Sequence, residues 1–517
     1  MFRYQMMWVS IVSLLCLGCN DLPPEVELSI SKAGKNGIEL KKVIDYYSQT
    51  GQRQKLKAAY YLIAGLPYQY HYKGSLIDNY RNQFVKMDSL GRHGYNNSIK
   101  ATWDSLERTM DKVDQVNMWK VNDIDIITSD YLINNIEEAF EAWSLPWARE
   151  LSFDQFCEYI LPYKIINEAP GYWRRYFRKK YQWAIDSLKG RCNALELTKI
   201  VNSDLEKWFH FNTKFKAPFD LSFQDLLNLK SGACIHQVTI STYAMRALGL
   251  PIAVEGVPFW ANRTSRHDWN VLAVGDGFPF QGADVNPGSY KIEAMRIGIS
   301  KSKLPKIYRR TYAAQKNSLS FFGLKDQEIP EGLKDTRYVD VTTSYIPVGN
   351  PIVKTTLAPE DAKIIYLCVF NRNNWKPVDW AFSKRGEAQF ENVGKGIVYL
   401  PMYFEEGRLY PAGDVFILGD NNKSTILIPH YAKRFTKQFY KRSPNNGYAN
   451  ATDVIKGNSY ELLYWDREWR TLGIQEADTN YVIFDNLPAN SLLRLRNIDR
   501  RYAERIFTCD TSIVSWW

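Results

Sequence analysis

From about residue 36 to 200, apolar residues recur at helical spacing, whereas after about residue 340 they alternate in short runs broken by turns. In the first region, Asp130 leads into Tyr131-Leu132-Ile133 and on through Ile136, Phe140 and Trp143, and Ser152 precedes Phe153, Phe156, Ile160 and Leu161. Between the two textures, Cys234 to Leu250 carries Val238, Ile240 or Ser241, Met245 and Leu248 at helical intervals until Gly249 and Pro251 end the pattern. Ile252 to Val257 and Asp268 to Val274 then read as strands, and a third short strand is expected to close at Asp284 before Asn286-Pro287-Gly288 turns the chain. Helices followed by a mixed segment and then by strands predict a multidomain chain with an all-α N-terminal region, an α+β core and a β-rich C-terminal part.

The C-terminal strands repeat. An ungapped shift of 94 residues places Tyr366 on Tyr460, Val369 on Leu463, Phe370 on Tyr464, Trp375 on Trp469, Phe390 on Phe484 and Asn392 on Asn486. These are apolar or turn positions in constant register, and they predict two copies of one small β-sandwich, each with a core of its own. Trp375 and Trp469, lying within strands, are expected in those cores.

Chemistry concentrates in the middle segment. Cys234 falls in the first turn of its helix, where unpaired N–H groups and the positive end of the helix dipole favour a thiolate. His267 follows at the entry of a strand and Asp284 after that. A cysteine, a histidine and an aspartate in that order supply a thiol nucleophile, a base that returns its proton, and a carboxylate that holds the imidazole in one tautomer. His236 is about 200° around the helix from Cys234 and is expected to be structural.

Four pieces carry a resemblance: Gly232-Ala233-Cys234 opening a helix, Ala244-Met245-Arg246-Ala247-Leu248-Gly249-Leu250-Pro251 leading into a strand, His267-Asp268-Trp269, and Asp284. Residues 229–290 are similar to the core of the transglutaminase-like superfamily, the papain-like group of transglutaminases, peptide N-glycanases and bacterial cysteine proteases. The resemblance implies that Cys234 is the nucleophile, His267 the base and acid, and Asp284 the orienting carboxylate. It also implies an aromatic cleft wall, to which Trp269 is the candidate, with Trp260 the other nearby tryptophan. Many relatives follow the acidic residue directly with proline; here Val285 and Asn286 intervene before Pro287, so Asn286 is an alternative orienting group. The helical part resembles the leader of exported proteins of this kind, notably Phe156 to Tyr163 and Asn167-Glu168.

The chain begins Met1-Phe2-Arg3 and runs through apolar residues from Met6 to Leu17, a stretch too short to span a bilayer comfortably. Leu17-Gly18-Cys19 resembles the bacterial lipobox, which implies lipidation at Cys19, with Cys16 standing where an aliphatic residue is more usual. The expected divisions are a signal at 1–19, an unstructured tether at 20–35, a helical region at 36–200, the transglutaminase-like core at 201–340, and β-sandwiches at 341–430 and 431–517.

Composition narrows the picture further. A mean hydropathy of −0.37 excludes a multispanning membrane protein, and 45% hydrophobic residues supply packed cores. The basic run Trp173 to Tyr181 places aromatics on one helical face and charges on another, which favours a solvated helix over a nucleic-acid site. Cys157, Cys192, Cys368 and Cys509 are spaced as neither a disulfide framework nor a zinc site, so free thiols are expected and neither metal nor cofactor is called for. The sequence therefore points to an exported, membrane-anchored thiol enzyme acting on amide bonds of a peptide, glycopeptide or cell-wall substrate, with hydrolysis ahead of cross-linking. The competing class is a non-catalytic surface lipoprotein that binds or scaffolds, with carbohydrate as a candidate ligand.

Overall fold

The computed structural model describes residues 22–91, 101, 105, 117–188, 190, 193–213, 217–289, 302–443, 453–500 and 502–517. Cys19 and Cys192 lie outside the described residues, as does the apolar run before Cys19. The N-terminal part contains the helices α1 (Pro24–Lys32), α2 (Gly37–Gln49), α3 (Arg53–Gly65), α4 (Ser75–Gly91), α5 (Ser129–Trp143), α6 (Phe153–Tyr159), α7 (Trp173–Lys180), α8 (Gln182–Ser187) and α9 (Ala194–Trp208). Thr128 caps α5, and Ser152 with Gln155 forms a capping box on α6. The expected tether at 20–35 is largely helical instead: α1 buries Val26 and Ser29, and Pro at its first turn starts the helix without a side-chain cap.

Helix α10 (Phe223–Leu229) and helix α11 (Cys234–Ala247) follow. Every residue of α11 from Ile235 to Ala247 is buried, because the N-terminal helices cover one side and a sheet covers the other. Gly249 ends α11 with φ +71°, and a Cβ there would lie 2.2 Å from the Ala142 carbonyl oxygen, so α5 and the α11 terminus meet only over a glycine. The Trp147 indole N–H donates to the Leu248 carbonyl at 2.7 Å, and the buried Glu168 accepts from the Tyr243 hydroxyl at 2.7 Å. The helical region is thus hydrogen-bonded to the middle and to the C-terminal end of α11.

The sheet against α11 contains β1 (Ile252–Val257), β2 (His267–Leu272), β3 (Phe278–Phe280), β4 (Tyr308–Arg310) and β5 (Tyr338–Asp340), in the order β3-β2-β1-β4-β5 and antiparallel throughout. Strand alternation sends Asp268, Asn270 and Leu272 toward α11, where the Asn270 amide donates to Thr242 Oγ1 at 2.8 Å. Trp269 and Val271 face the opposite way, into a cluster with Trp260, Ile307 and Tyr345.

The C-terminal part is β throughout. Its principal strands are β6 (Ile352–Lys354), β7 (Ile364–Asn371), β8 (Asn374–Lys384), β9 (Glu387–Gln389), β10 (Ile397–Glu405), β11 (Phe416–Leu418) and β12 (Ser424–Ile426). They continue as β13 (His430–Phe439), β14 (Ser459–Trp465), β15 (Trp469–Glu476), β16 (Val482–Ala489), β17 (Leu493–Asn497), β18 (Ile506–Cys509) and β19 (Val514–Trp516). One sheet runs β6-β9-β8-β7-β10-β11-β12, a second runs β15-β14-β17-β18-β19, and β13 pairs with β16. Trp375 and Trp469 do not sit in two separate cores. Trp375 meets Trp465 at 5.5 Å, Trp465 meets Trp469 at 5.2 Å, and Phe370 meets Trp469 at 5.7 Å, so the aromatics of both hairpins form one cluster between the sheets.

Candidate functional site

Cys234 is the first residue of α11 and is half-buried. Its N-cap, Ala233, has no side-chain acceptor, and the missing cap is replaced from inside the helix. His236, at the third position, turns back so that Nδ1 accepts from the Ala233 N–H at 3.1 Å. Gly232 makes room for that ring, since a Cβ at Gly232 would lie 2.4 Å from Nδ1. The acceptor role fixes His236 as the neutral tautomer protonated at Nε2. Burial, helped by the Arg266 charge and opposed by Asp268, pushes its imidazole down to about 4.

The Cys234 thiol is pushed up to about 11. Burial is the main cause and the Asp268 charge adds to it; the Asp268 and Ile235 N–H groups and the Arg266 charge act the other way. The helix start therefore does favour the thiolate, but burial outweighs it, and the expected low-pKa thiolate is corrected to a protonated resting thiol. Cys234 still stands below the other described cysteines. Burial takes Cys509 up to about 12 and raises Cys157 and Cys368 further.

His267 opens β2, paired with Val257 on β1. Its ring lies between two tryptophans, stacked on Trp260 at 6.0 Å and 27° and tilted against Trp269 at 5.9 Å. Burial lowers its pKa, Arg263 acts in the same direction, and Asp268 and Asp284 oppose both, so the imidazole is neutral at rest. Among the described residues, no hydrogen bond joins His267 to Cys234 or to Asp284.

Asp284 lies beyond β3 rather than at the end of a strand. The chain leaves the sheet at Phe280, Ala283 takes φ +51°, and the N–H groups of Asp284 and Val285 both donate to the Gln281 carbonyl, closing a turn that leaves Asp284 exposed. The turn itself is fixed. Asn202 accepts from the Ala283 N–H at 2.7 Å, and the Gln237 amide of α11 donates to the Ala283 carbonyl at 3.1 Å. Asn286, the alternative orienting group, has its side chain on Asn202 at 3.1 Å and Ser203 at 2.8 Å. Of the two, Asp284 is the one whose charge reaches His267.

Trp269 is fully buried, its indole N–H donating to the Tyr345 hydroxyl at 2.8 Å. Tyr345 in turn donates to Glu255, which holds Arg309 at 2.6 Å. Trp269 is therefore a core residue backing His267, and the expected cleft wall is corrected accordingly.

Asp268 is the residue that the motif-based reading passed over. It is buried, with Oδ1 3.9 Å from Arg310 and Oδ2 4.0 Å from Arg266, and Oδ2 has no hydrogen-bond partner. Period-two alternation would have placed it on the helix side of β2, beside the thiol. Among the described residues, no group of three or more His, Cys, Asp or Glu side chains is placed to hold a metal ion. No known family model matches the chain, and no curated protein matches it.

Proposed function

We propose that residues 201–340 form a transglutaminase-like, papain-type core in which Cys234 attacks an amide carbonyl. The reading is carried by one observation: Cys234 lies in the first turn of α11, and the N–H of Asp268, the residue after His267 on β2, favours its thiolate. A neutral imidazole and a neutral thiol are the resting states that general-base catalysis needs. His267 would take the thiol proton as sulfur bonds to the carbonyl carbon, then pass it to the departing amine as the C–N bond breaks. Water, deprotonated by His267, then attacks the thioester carbonyl; the C–S bond breaks, His267 returns the proton to the Cys234 sulfur, and a carboxylic acid is released. Asp284 would hold the imidazolium that forms in between. Hydrolysis is favoured over transfer to a second amine because water is always at hand and no acceptor site is marked out. The substrate class is an extracytoplasmic peptide, glycopeptide or cell-wall amide.

The same reading takes Cys19 as a lipidated residue anchoring an exported protein to a bacterial envelope membrane. No described helix is long and apolar enough to cross a membrane. We also infer that the C-terminal part is a duplication. The shared order of five strands, β8-β7-β10-β11-β12 and β15-β14-β17-β18-β19, supports that reading, the first hairpin of each set lying close to the 94-residue register.

A second reading, a non-catalytic binding or scaffold protein with carbohydrate as one candidate ligand, is favoured by the missing hydrogen bond between Cys234 and His267 and by the raised thiol. Incubating wild type and Cys234→Ala with a peptide-amide library, and scoring new carboxylates and new amide cross-links by mass spectrometry, separates the two. Activity lost in Cys234→Ala supports the enzyme; an identical null result for both supports the scaffold.

A further inference from the structure

The loop between β1 and β2 runs from about residue 258 to 266 and delivers Trp260 and His267 to the candidate site. It is held from outside its own sheet. Phe259 and Ala261 pack into the core of the first C-terminal sheet, with Val353, Ile365 and Leu367. Asn371, fully buried at the end of β7, accepts from the Ser265 N–H at 3.0 Å and donates to the carbonyls of Trp260 at 2.9 Å, Arg263 at 2.8 Å and Ser265 at 3.2 Å. Arg505, at 2% exposure, reaches across from the second sheet to the carbonyls of Ala261 and Arg263, and also binds those of Phe370 and Trp517. Together the two side chains span the loop from residue 260 to 265.

The loop needs this clamp. Ser265 has φ +82°, a left-handed conformation that is strained for a non-glycine residue and persists only where the surroundings over-determine it. Both of its backbone polar groups are bonded by Asn371. Two residues later comes His267, stacked on Trp260, whose carbonyl Asn371 also holds.

We propose that Asn371, at the end of β7, and Arg505, immediately before β18, are positioning residues that set the ring of His267 by fixing the 258–266 loop and the Trp260 indole. The proposal rests on the reading of His267 as the base for Cys234. It makes the C-terminal part a structural member of the site, although both residues lie more than 100 positions from His267 in the sequence.

The test uses the full chain in wild type, Asn371→Ala, His267→Ala, the Asn371→Ala/His267→Ala double variant, and Lys384→Ala as an exposed position at the far end of β8. Two quantities are read: the iodoacetamide alkylation rate at Cys234 and the His267 ring proton NMR shift, which the stacked indole displaces. Asn371→Ala should slow alkylation about tenfold, a partial form of the roughly hundredfold loss that a 1 Å misplacement of a reacting group can cause. It should also move the His267 signal toward its unstacked position, with Lys384→Ala changing neither. The double variant should be within about twofold of His267→Ala alone, because Asn371 acts through His267. An unmoved His267 signal in Asn371→Ala overturns the proposal, as does a full additional loss in the double variant. If His267→Ala leaves alkylation unchanged, the catalytic reading fails while the NMR shift still judges the clamp. Should Asn371→Ala not fold, Asn371→Ser and Arg505→Lys, which keep part of the bonding, are judged by the same two readouts.

Discussion

Asp268 places a buried carboxylate beside the Cys234 thiol, and after burial its charge is the main influence holding that thiol protonated. Removing the charge while keeping the shape should release the thiol. Asp268→Asn is therefore expected to raise the Cys234 alkylation rate at pH 8 several-fold, read by peptide mass mapping of timed iodoacetamide reactions. A slower reaction would show that Asp268 acts mainly by supporting the histidine.

The thiols should also react in a fixed order. Cys234 is pushed up least, to about 11, Cys509 to about 12, and Cys157 and Cys368 lie deeper and higher still. Since only the thiolate reacts, alkylation of Cys234 should rise about tenfold per pH unit between pH 7 and 10 and lead that of the other three throughout. Simultaneous labelling of all four in the folded protein would contradict the placement.

Acid should weaken the fold through His236. Its folded-state pKa of about 4 lies below the ordinary histidine value, so the unfolded chain binds a proton first as the pH falls. Stability contributed by the neutral ring is complete at pH 7 and is lost as the pH drops from about 6.5 toward 4, amounting to roughly 2 kcal/mol by pH 5. His267, also lowered, adds in the same direction. Urea unfolding of wild type and His236→Gln at pH 7 and pH 5 measures this, and the variant should show the smaller acid loss.

Much of this arrangement was legible in the sequence because it is local. The α11 periodicity, the cap at Ser152 and the strand at His267 follow from neighbouring residues, and the structure has helices and a strand at those places, whereas the helix expected to follow Asp130 is capped two residues earlier, by Thr128. What the sequence withheld depends on distant partners. Trp269 has the look of a cleft aromatic until Tyr345 and Glu255 are found behind it. The thiol pKa depends on how deeply the N-terminal helices bury α11, which no motif encodes. Residues 24–32, polar and short, read as a tether because the surface that buries Val26 lies elsewhere in the chain.

Trp269 and the inter-sheet tryptophans give stability tests without reference to activity. Trp269→Phe keeps the ring but leaves the Tyr345 hydroxyl without its donor, a loss of about 1–3 kcal/mol. Trp375→Ala should cost about 3–5 kcal/mol, and Trp469→Ala, at a partly buried position, less. Because both share Trp465 and Phe370, their costs should fall short of additive in the double variant. Strict additivity in urea titrations would place the two tryptophans in separate cores.

The most direct measurement is to mix the full-length protein with a peptide-amide library, quench in acid within the first turnover, and map covalent adducts by mass spectrometry. An acyl group on Cys234 that accumulates in wild type, disappears with water or amine, and is absent from Cys234→Ala is the expected result. Turnover of an amide by Cys234→Ala at the wild-type rate would contradict the thiol mechanism outright.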